Sequence, residues 1–306
     1  MIAEASVSYP RMSNKLTFPV RRSGKPTVPR MTPLGSGAPD PAYDTVAQAA
    51  RAAMSTRRLY TTYGGPLLRL RRAGVDDAEM DFGYGANGVL DVAGITIWLG
   101  VGTPRVVTFY DQTGNGRHYT QATLSRQPLL DLFNVWITFN GTEELSRADT
   151  FAFPRVGYTV FRCDDKTTNR VFWGYSGGAG YVFGWVKASS GLVTTDQTGG
   201  SGIRTTTTTL DVVDGSMHIA ENALYSQNGN RTLVDGNFAG ATSGSTSGSA
   251  TATTASLGGW STALFLSGAI AEHVEFEVDM TDGTHDPDRN IIGNASEYWG
   301  TSYSDI

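Results

Sequence analysis

From Ile270 to Met280 the chain alternates almost without a break. Ile270, Val274, Phe276, Val278 and Met280 share one parity, and His273, Glu275, Glu277 and Asp279 share the other. A period of two belongs to a strand with one face buried and one face in water. On that pattern Glu275 and Glu277 are expected on a solvated face. Such a strand needs partners, and the chain supplies them as short apolar runs: Leu67–Arg72, Ile95–Leu99, Val106–Tyr110, Val135–Phe139, Gly157–Arg162, Val171–Tyr175 and Tyr181–Val186. Turn chemistry separates them, as in Asp111-Gln112-Thr113-Gly114-Asn115-Gly116. Thr205–Thr209 and the Gly/Ser/Thr run from Thr242 to Thr254 read as a mixture of exposed edge strands and loop. Helical spacing occurs at Tyr43, Val46, Ala49, Ala50 and Ala53, predicting a helix over 43–59, and again from Asp286 to Tyr298. Many short strands with close turn signals define an all-β chain, a sandwich with short flanking helices.

The first 42 residues are different. Pro10, Pro19, Pro26, Pro29, Pro33, Pro39 and Pro41 exclude a helix or a central strand, and the segment carries Arg11, Lys15, Arg21, Arg22, Lys25 and Arg30 against Glu4 and Asp40. It reads as an extended arm (1–42) ahead of the sandwich (43–306), with its order supplied by a partner surface. The net charge of −5 argues against a nucleic-acid partner, and no run is long and apolar enough for a membrane span. A single cysteine, Cys163, allows no internal disulfide, and the N-terminus shows no apolar leader core, so synthesis in a cytoplasm is expected.

Several stretches look like a known family. Ser55-Thr56-Arg57-Arg58-Leu59-Tyr60, Gly65-Pro66-Leu67-Leu68-Arg69-Leu70-Arg71-Arg72 and above all Phe109-Tyr110-Asp111-Gln112-Thr113-Gly114-Asn115-Gly116-Arg117-His118 resemble the arabinofuranosidase B catalytic domain. Gly268-Ala269-Ile270-Ala271-Glu272 resembles the closing strand of laminin-G-like sandwiches, and Phe139–Ser146 another strand and turn of such domains. The resemblance implies a concanavalin-like two-sheet jelly roll. It would also imply retaining hydrolysis of α-L-arabinofuranosides, which needs a nucleophilic carboxylate and an acid/base carboxyl facing each other across the bond.

The family's nucleophile is a glutamate on a mid-domain strand after a vicinal cysteine pair. The matching window, 159–186, holds Cys163, Asp164 and Asp165 and no glutamate. The family's acid/base is an aspartate in a glycine-rich loop, here Leu257-Gly258-Gly259-Trp260-Ser261-Thr262, with no acid. Both positions being empty, the resemblance predicts a non-catalytic domain. Glu143 and Glu144 follow a turn and point to opposite faces. Glu272 has inward parity and is expected to be a buried structural acid, held by backbone or arginine.

For sugar binding, Trp260 beside two glycines is the first candidate, with Trp173, Tyr175 and Trp185, whose rings suit pyranose or furanose faces. The stripe Tyr181, Phe183 and Trp185 is expected to fill the core. No histidine spacing suggests a metal site; calcium is the one cofactor the fold class brings with it, through Asp111–Gly116 or Asp282, Asp286 and Asp288, and turn chemistry accounts for both. Similar domains occur in bacteriophage tail, fibre and head-decoration proteins. The expectation is therefore a homo-oligomeric virion protein: the arm docks on another virion protein, and the sandwich projects outward onto host-surface glycan. The alternative is an arabinofuranosidase-like hydrolase with displaced carboxylates.

Overall fold

A computed structural model describes residues 43, 44, 46, 49–152, 154–177, 181–199, 202–225, 229–242, 252–260, 264–277 and 287–301. The arm lies outside them, as do Asp282 and Asp286.

In chain order the strands are β1 (Ala52–Ser55), β2 (Leu68–Ala73), β3 (Glu79–Phe82), β4 (Thr103–Phe109), β5 (Tyr119–Thr120), β6 (Leu129–Asp131), β7 (Trp136–Asn140), β8 (Leu145–Ala148) and β9 (Arg155–Cys163). They continue with β10 (Arg170–Ser176), β11 (Val182–Val186), β12 (Leu192–Gly199), β13 (Gly202–Asp211), β14 (His218–Tyr225), β15 (Gly229–Val234), β16 (Asn237–Thr242), β17 (Thr254–Leu257) and β18 (Ser267–Phe276). The helices are α1 (Val92–Leu99) and α2 (Pro287–Trp299).

All ladders are antiparallel. The front layer runs β5-β8-β17-β10-β11-β12-β13. The back layer runs β18-β9-β14-β15-β16, with β1 and β7 sharing the other edge of β18. Pairing of β4 with β2, β5 and β6 joins the layers along one side, so this is a nearly closed concanavalin-like jelly-roll sandwich. One core lies between the layers, with Trp173, Tyr175, Phe161, Phe172, Leu257 and Val182. A second lies behind the back layer, where Tyr158, Val160, Val274 and Phe276 pack on Ile291, Ile292 and Trp299 of α2.

Three expectations change. The described residues of 43–59 form no helix: β1 pairs with β18 and is buried on both sides, Ala52 and Met54 in the first core and Ala53 in the second. Alanines chosen to fit between two layers mimic a helical pattern. Ile95–Leu99 is part of α1, not a strand; Asp91 Oδ1 accepts from Gly94 N at 3.0 Å as an N-cap, and Gly100 at φ 57° ends the helix. And β18 has no solvated face, because His273 and Glu275 are fully buried.

Candidate functional site

The most family-specific motif holds the fold together. Asp111 Oδ1 accepts from Ala53 N (3.0 Å) and Thr113 N (3.0 Å), and Oδ2 from Arg117 N (3.0 Å). Gln112 accepts from Leu59 N (2.8 Å) and donates to the carbonyls of Arg57 (2.8 Å) and Ser55 (3.2 Å). Buried, these side chains replace a missing strand partner for residues 53–59. Both Asp111 oxygens serve turn and strand donors, and no cluster of metal-ligating residues occurs among the described residues.

Glu272 sits in the second core. It accepts from Arg57 Nε (2.8 Å) and Nη2 (3.2 Å), Tyr43 Oη (2.7 Å), Ser55 Oγ (3.0 Å) and Trp299 Nε1 (3.2 Å). Burial alone would raise its pKa; Arg57 and the other donors outweigh burial and leave it below the ordinary value. An ionised carboxylate with five donors is a structural anion.

Between the layers lies a second charged group. Glu275 accepts from Arg147 (2.8 and 2.9 Å), Tyr175 (2.6 Å) and Tyr119 (2.8 Å) and contacts His273 (3.0 Å). Despite burial these partners hold it well below the usual carboxylate range, whereas burial keeps the His273 imidazolium disfavoured. Trp173 and Tyr175, expected as sugar binders, are fully buried in this core and have no ring face open to a ligand. Glu221, on β14 beyond the window searched for a nucleophile, is also fully buried and accepts from Arg231 (2.8 and 2.5 Å).

The outer face of the front layer presents a different set of side chains, with Gly174 and Ser256 buried at its middle. Register runs in one row: Thr205, Asp196, Phe183, Gly174, Ser256, Ser146, Thr120. The alternate positions Tyr175, Val182, Ala255 and Leu145 point into the core, so the described side chains of this row face away from it. Its middle is small, with Gly174 and Ser256. Tyr181 and Trp185 flank it, both partly exposed; the core side of β11 is taken by Val182, Gly184 and Val186. The stripe predicted to fill the core is therefore on the outside, at least at Tyr181 and Trp185. Trp260, also partly exposed, meets Tyr181 edge-on with ring centroids 5.3 Å apart.

Two carboxyls belong to this face. Burial raises Asp196 above its ordinary value, although Thr205 donates to it (Oγ1 to Oδ1, 2.7 Å). Burial likewise raises Glu144, against the opposing pull of Arg126 at 2.8 Å. Glu144 borders the glycine loop: a Cβ on Gly259 would stand 3.1 Å from the Glu144 Cβ. Asp196 and β8 are four strands apart, roughly 19 Å along the layer, too far for Asp196 and Glu144 to flank one bond. Sequence reasoning set Glu144 aside as one of an adjacent pair after a turn, and Asp196 sits in no motif; burial, which raises both, comes from residues remote in sequence, such as Gly259 beside Glu144.

The fold and the carboxyls on it can be set beside known proteins. No protein-family profile matches the chain. It is 35% identical over 124 residues to α-L-arabinofuranosidase B of Aspergillus kawachii, covering 38% of this chain and 24% of the relative. It is 36% identical over 79 residues to α-L-arabinofuranosidase B of Aspergillus niger, covering 26% and 15%. The chain thus matches only about a quarter, or less, of these relatives' length. Among solved structures, an arabinofuranosidase complexed with arabinofuranosyl-α-1,2-xylobiose superposes with TM-score 0.62 at 16% identity, covering 86% of this chain and 65% of that one. An α-L-arabinofuranosidase soaked with a cyclic sulfate inhibitor gives 0.60 at 16%, covering 82% and 63%. The chain resembles the arabinofuranosidase B catalytic domain in sequence and in fold.

The relatives in sequence overturn the expectation of a non-catalytic virion protein, because they are α-L-arabinofuranosidases. The arm residues proposed for docking (Arg11, Lys15, Arg21, Arg22, Lys25 and Arg30) lie outside the described residues. Glu144, just before β8, is the carboxyl residue whose Cβ lies against the acid-free loop at Gly259.

Proposed function

We propose that the chain is a glycoside hydrolase acting on α-L-arabinofuranosides, with Glu144 as the displaced proton donor. The observation that carries the reading is a carboxyl pushed toward its neutral form directly against Gly259, in the loop where the family resemblance puts the acid/base. A carboxyl with a raised pKa stays protonated to higher pH and can give its proton to a departing glycosidic oxygen. Trp260 and Tyr181 supply apolar ring surface for the sugar beside it, and Asp196 with Trp185 extends the same wall. Sequence similarity to arabinofuranosidase B supports the substrate class.

The test compares two substrates. Wild-type protein is expected to hydrolyse both 4-nitrophenyl α-L-arabinofuranoside and an arabinofuranosyl xylo-oligosaccharide. Nitrophenolate departs without a proton, whereas a sugar alkoxide does not. Glu144→Gln should therefore reduce kcat on the oligosaccharide by about 10²–10⁴ and on the nitrophenyl substrate far less. No turnover of either substrate by the wild type refutes the activity; equal losses on both refute the role of Glu144.

A further inference from the structure

Away from this face, at the opposite end of β8 from Glu144, a solvent-open pocket of about 380 Å³ is lined by Ala49, Ala50, Arg51, Asn115, Arg117 and Glu277. Its walls belong to an ion-pair network that does not balance. Among the described residues Arg51, Arg117, Arg147 and Arg155 meet Asp149, Glu275 and Glu277, four cations against three anions, with burial disfavouring the charged form of His273. Asp149 is shared by Arg51, Arg117 (2.8 Å) and Arg147 (2.8 Å). Burial alone would raise it; Arg147 and Arg51 bring it below its ordinary value. The Arg51 side chain is only 10% exposed, and its Nε is buried without a hydrogen-bond partner. Arg117 is 33% exposed and reaches the pocket with donors to spare. Asn115 donates to the Arg51 carbonyl at 2.9 Å, which fixes the floor. Glu277 stands at the rim, 45% exposed, accepting from Arg51 and from Arg155 at 2.9 Å.

We propose that this pocket is a subsite for a uronic acid unit of the glycan. The excess arginine fits a carboxylate, which guanidinium groups bind in a fork. Glu277, an acceptor at the same rim, fits the hydroxyls beside that carboxylate; inorganic sulfate or phosphate offers it nothing. The inference rests on the hydrolase reading for its choice of a sugar acid. It makes the substrate an arabinofuranosyl polymer carrying acidic sugars. Glu144 and Asp149 bracket β8, roughly 17 Å apart by strand rise, so the acidic unit would sit some sugars away from the bond being cleaved.

Titration of the full chain with galacturonate, galactose and sulfate, followed by NMR shifts or calorimetry, tests it without requiring turnover. Galacturonate is expected to bind at least about tenfold more tightly than galactose, a difference of about 1.4 kcal/mol, and sulfate should not displace it. Arg117→Gln should abolish that preference while keeping the far-ultraviolet circular dichroism of the wild type. Equal binding of galactose, displacement by sulfate, or an unaltered preference in Arg117→Gln each overturns the proposal. Binding of galacturonate by a chain that hydrolyses no arabinofuranoside would uphold the subsite and refute the activity separately.

Discussion

Replacing Arg57 by methionine probes how the C-terminal helix is held. Arg57 is 1% exposed and Glu272 2%. The guanidinium makes two bonds to Glu272, a third to Asn294 Oδ1 of α2 at 2.7 Å, and lies 4.4 Å from the centre of the Tyr298 ring. Methionine keeps much of the apolar stem and removes every one of these. Glu272 then retains three neutral donors, Tyr43, Ser55 and Trp299, and no opposing charge. Stranding one member of a buried pair costs about 3–5 kcal/mol. At about 2–4 °C per kcal/mol for a domain of this size, melting should fall by about 6–20 °C. The loss must depend on pH. Glu272 has a folded pKa below its unfolded value, so its contribution is present above the unfolded value and disappears as pH falls through the folded one. The gap between wild type and Arg57→Met is therefore widest at neutral pH and narrows in acid, where a protonated Glu272 no longer needs a cation. The double variant Arg57→Met/Glu272→Leu should recover most of the loss, since no buried charge remains. Urea denaturation of the three variants at pH 7 and pH 4 decides it. A loss under about 1 kcal/mol at pH 7, or one that does not change with pH, refutes the account of a charge-paired anion.

Two other perturbations address separate parts of the sandwich. His218 is held between Asp235 (2.7 Å) and Asp214 (3.0 Å); burial opposes its protonation, but the two aspartates win and raise its pKa. Its contribution is complete below the unfolded value near 6.5 and is lost as pH rises through the folded one, with a slope of at most about 1.4 kcal/mol per pH unit; His218→Gln should flatten that slope in urea midpoints, and an unchanged slope would count against the clamp. At Gly157, a Cβ would stand 3.0 Å from the fully buried Trp173 ring, so Gly157→Ala should cost about 1–3 kcal/mol and alter the near-ultraviolet circular dichroism of that indole; a neutral substitution would show that the two layers can move apart.

Periodicity in the sequence identifies strands well and says little about which side of a strand is inside. The alternation of β11 is real, but Val182 and Val186 point into the core and Trp185 points out, the reverse of what side-chain size suggests. The reason is beside β11: Phe172, Trp173 and Tyr175 of the neighbouring β10 already fill the space between the layers, and the would-be Cβ of Gly184 comes within 2.8 Å of the Phe172 ring. A tryptophan from β11 has no room there. In the same way, α1 was hidden by its β-branched residues, although Asp91 three residues before Gly94 was a legible cap.

The charged residues of β18 show the deeper limit. Glu275 sits where a period of two predicts water, and its partners Tyr175, Arg147 and Tyr119 are 100, 128 and 156 residues away in sequence. Each would be costly to bury alone; together they satisfy one another, and the group is admitted to the core only as a whole. No local pattern can announce such a cluster, because its stability depends on side chains that only the finished fold brings into contact. The same logic separates Glu275 from Glu144. Glu275 has arginine, tyrosine and histidine around it and is locked as an anion, so it has no proton to give. Glu144 has one part-exposed arginine, Arg126, and burial outweighs the pairing. Two glutamates of one sandwich are thus sorted into structural anion and candidate acid by the number of donors the fold delivers to each.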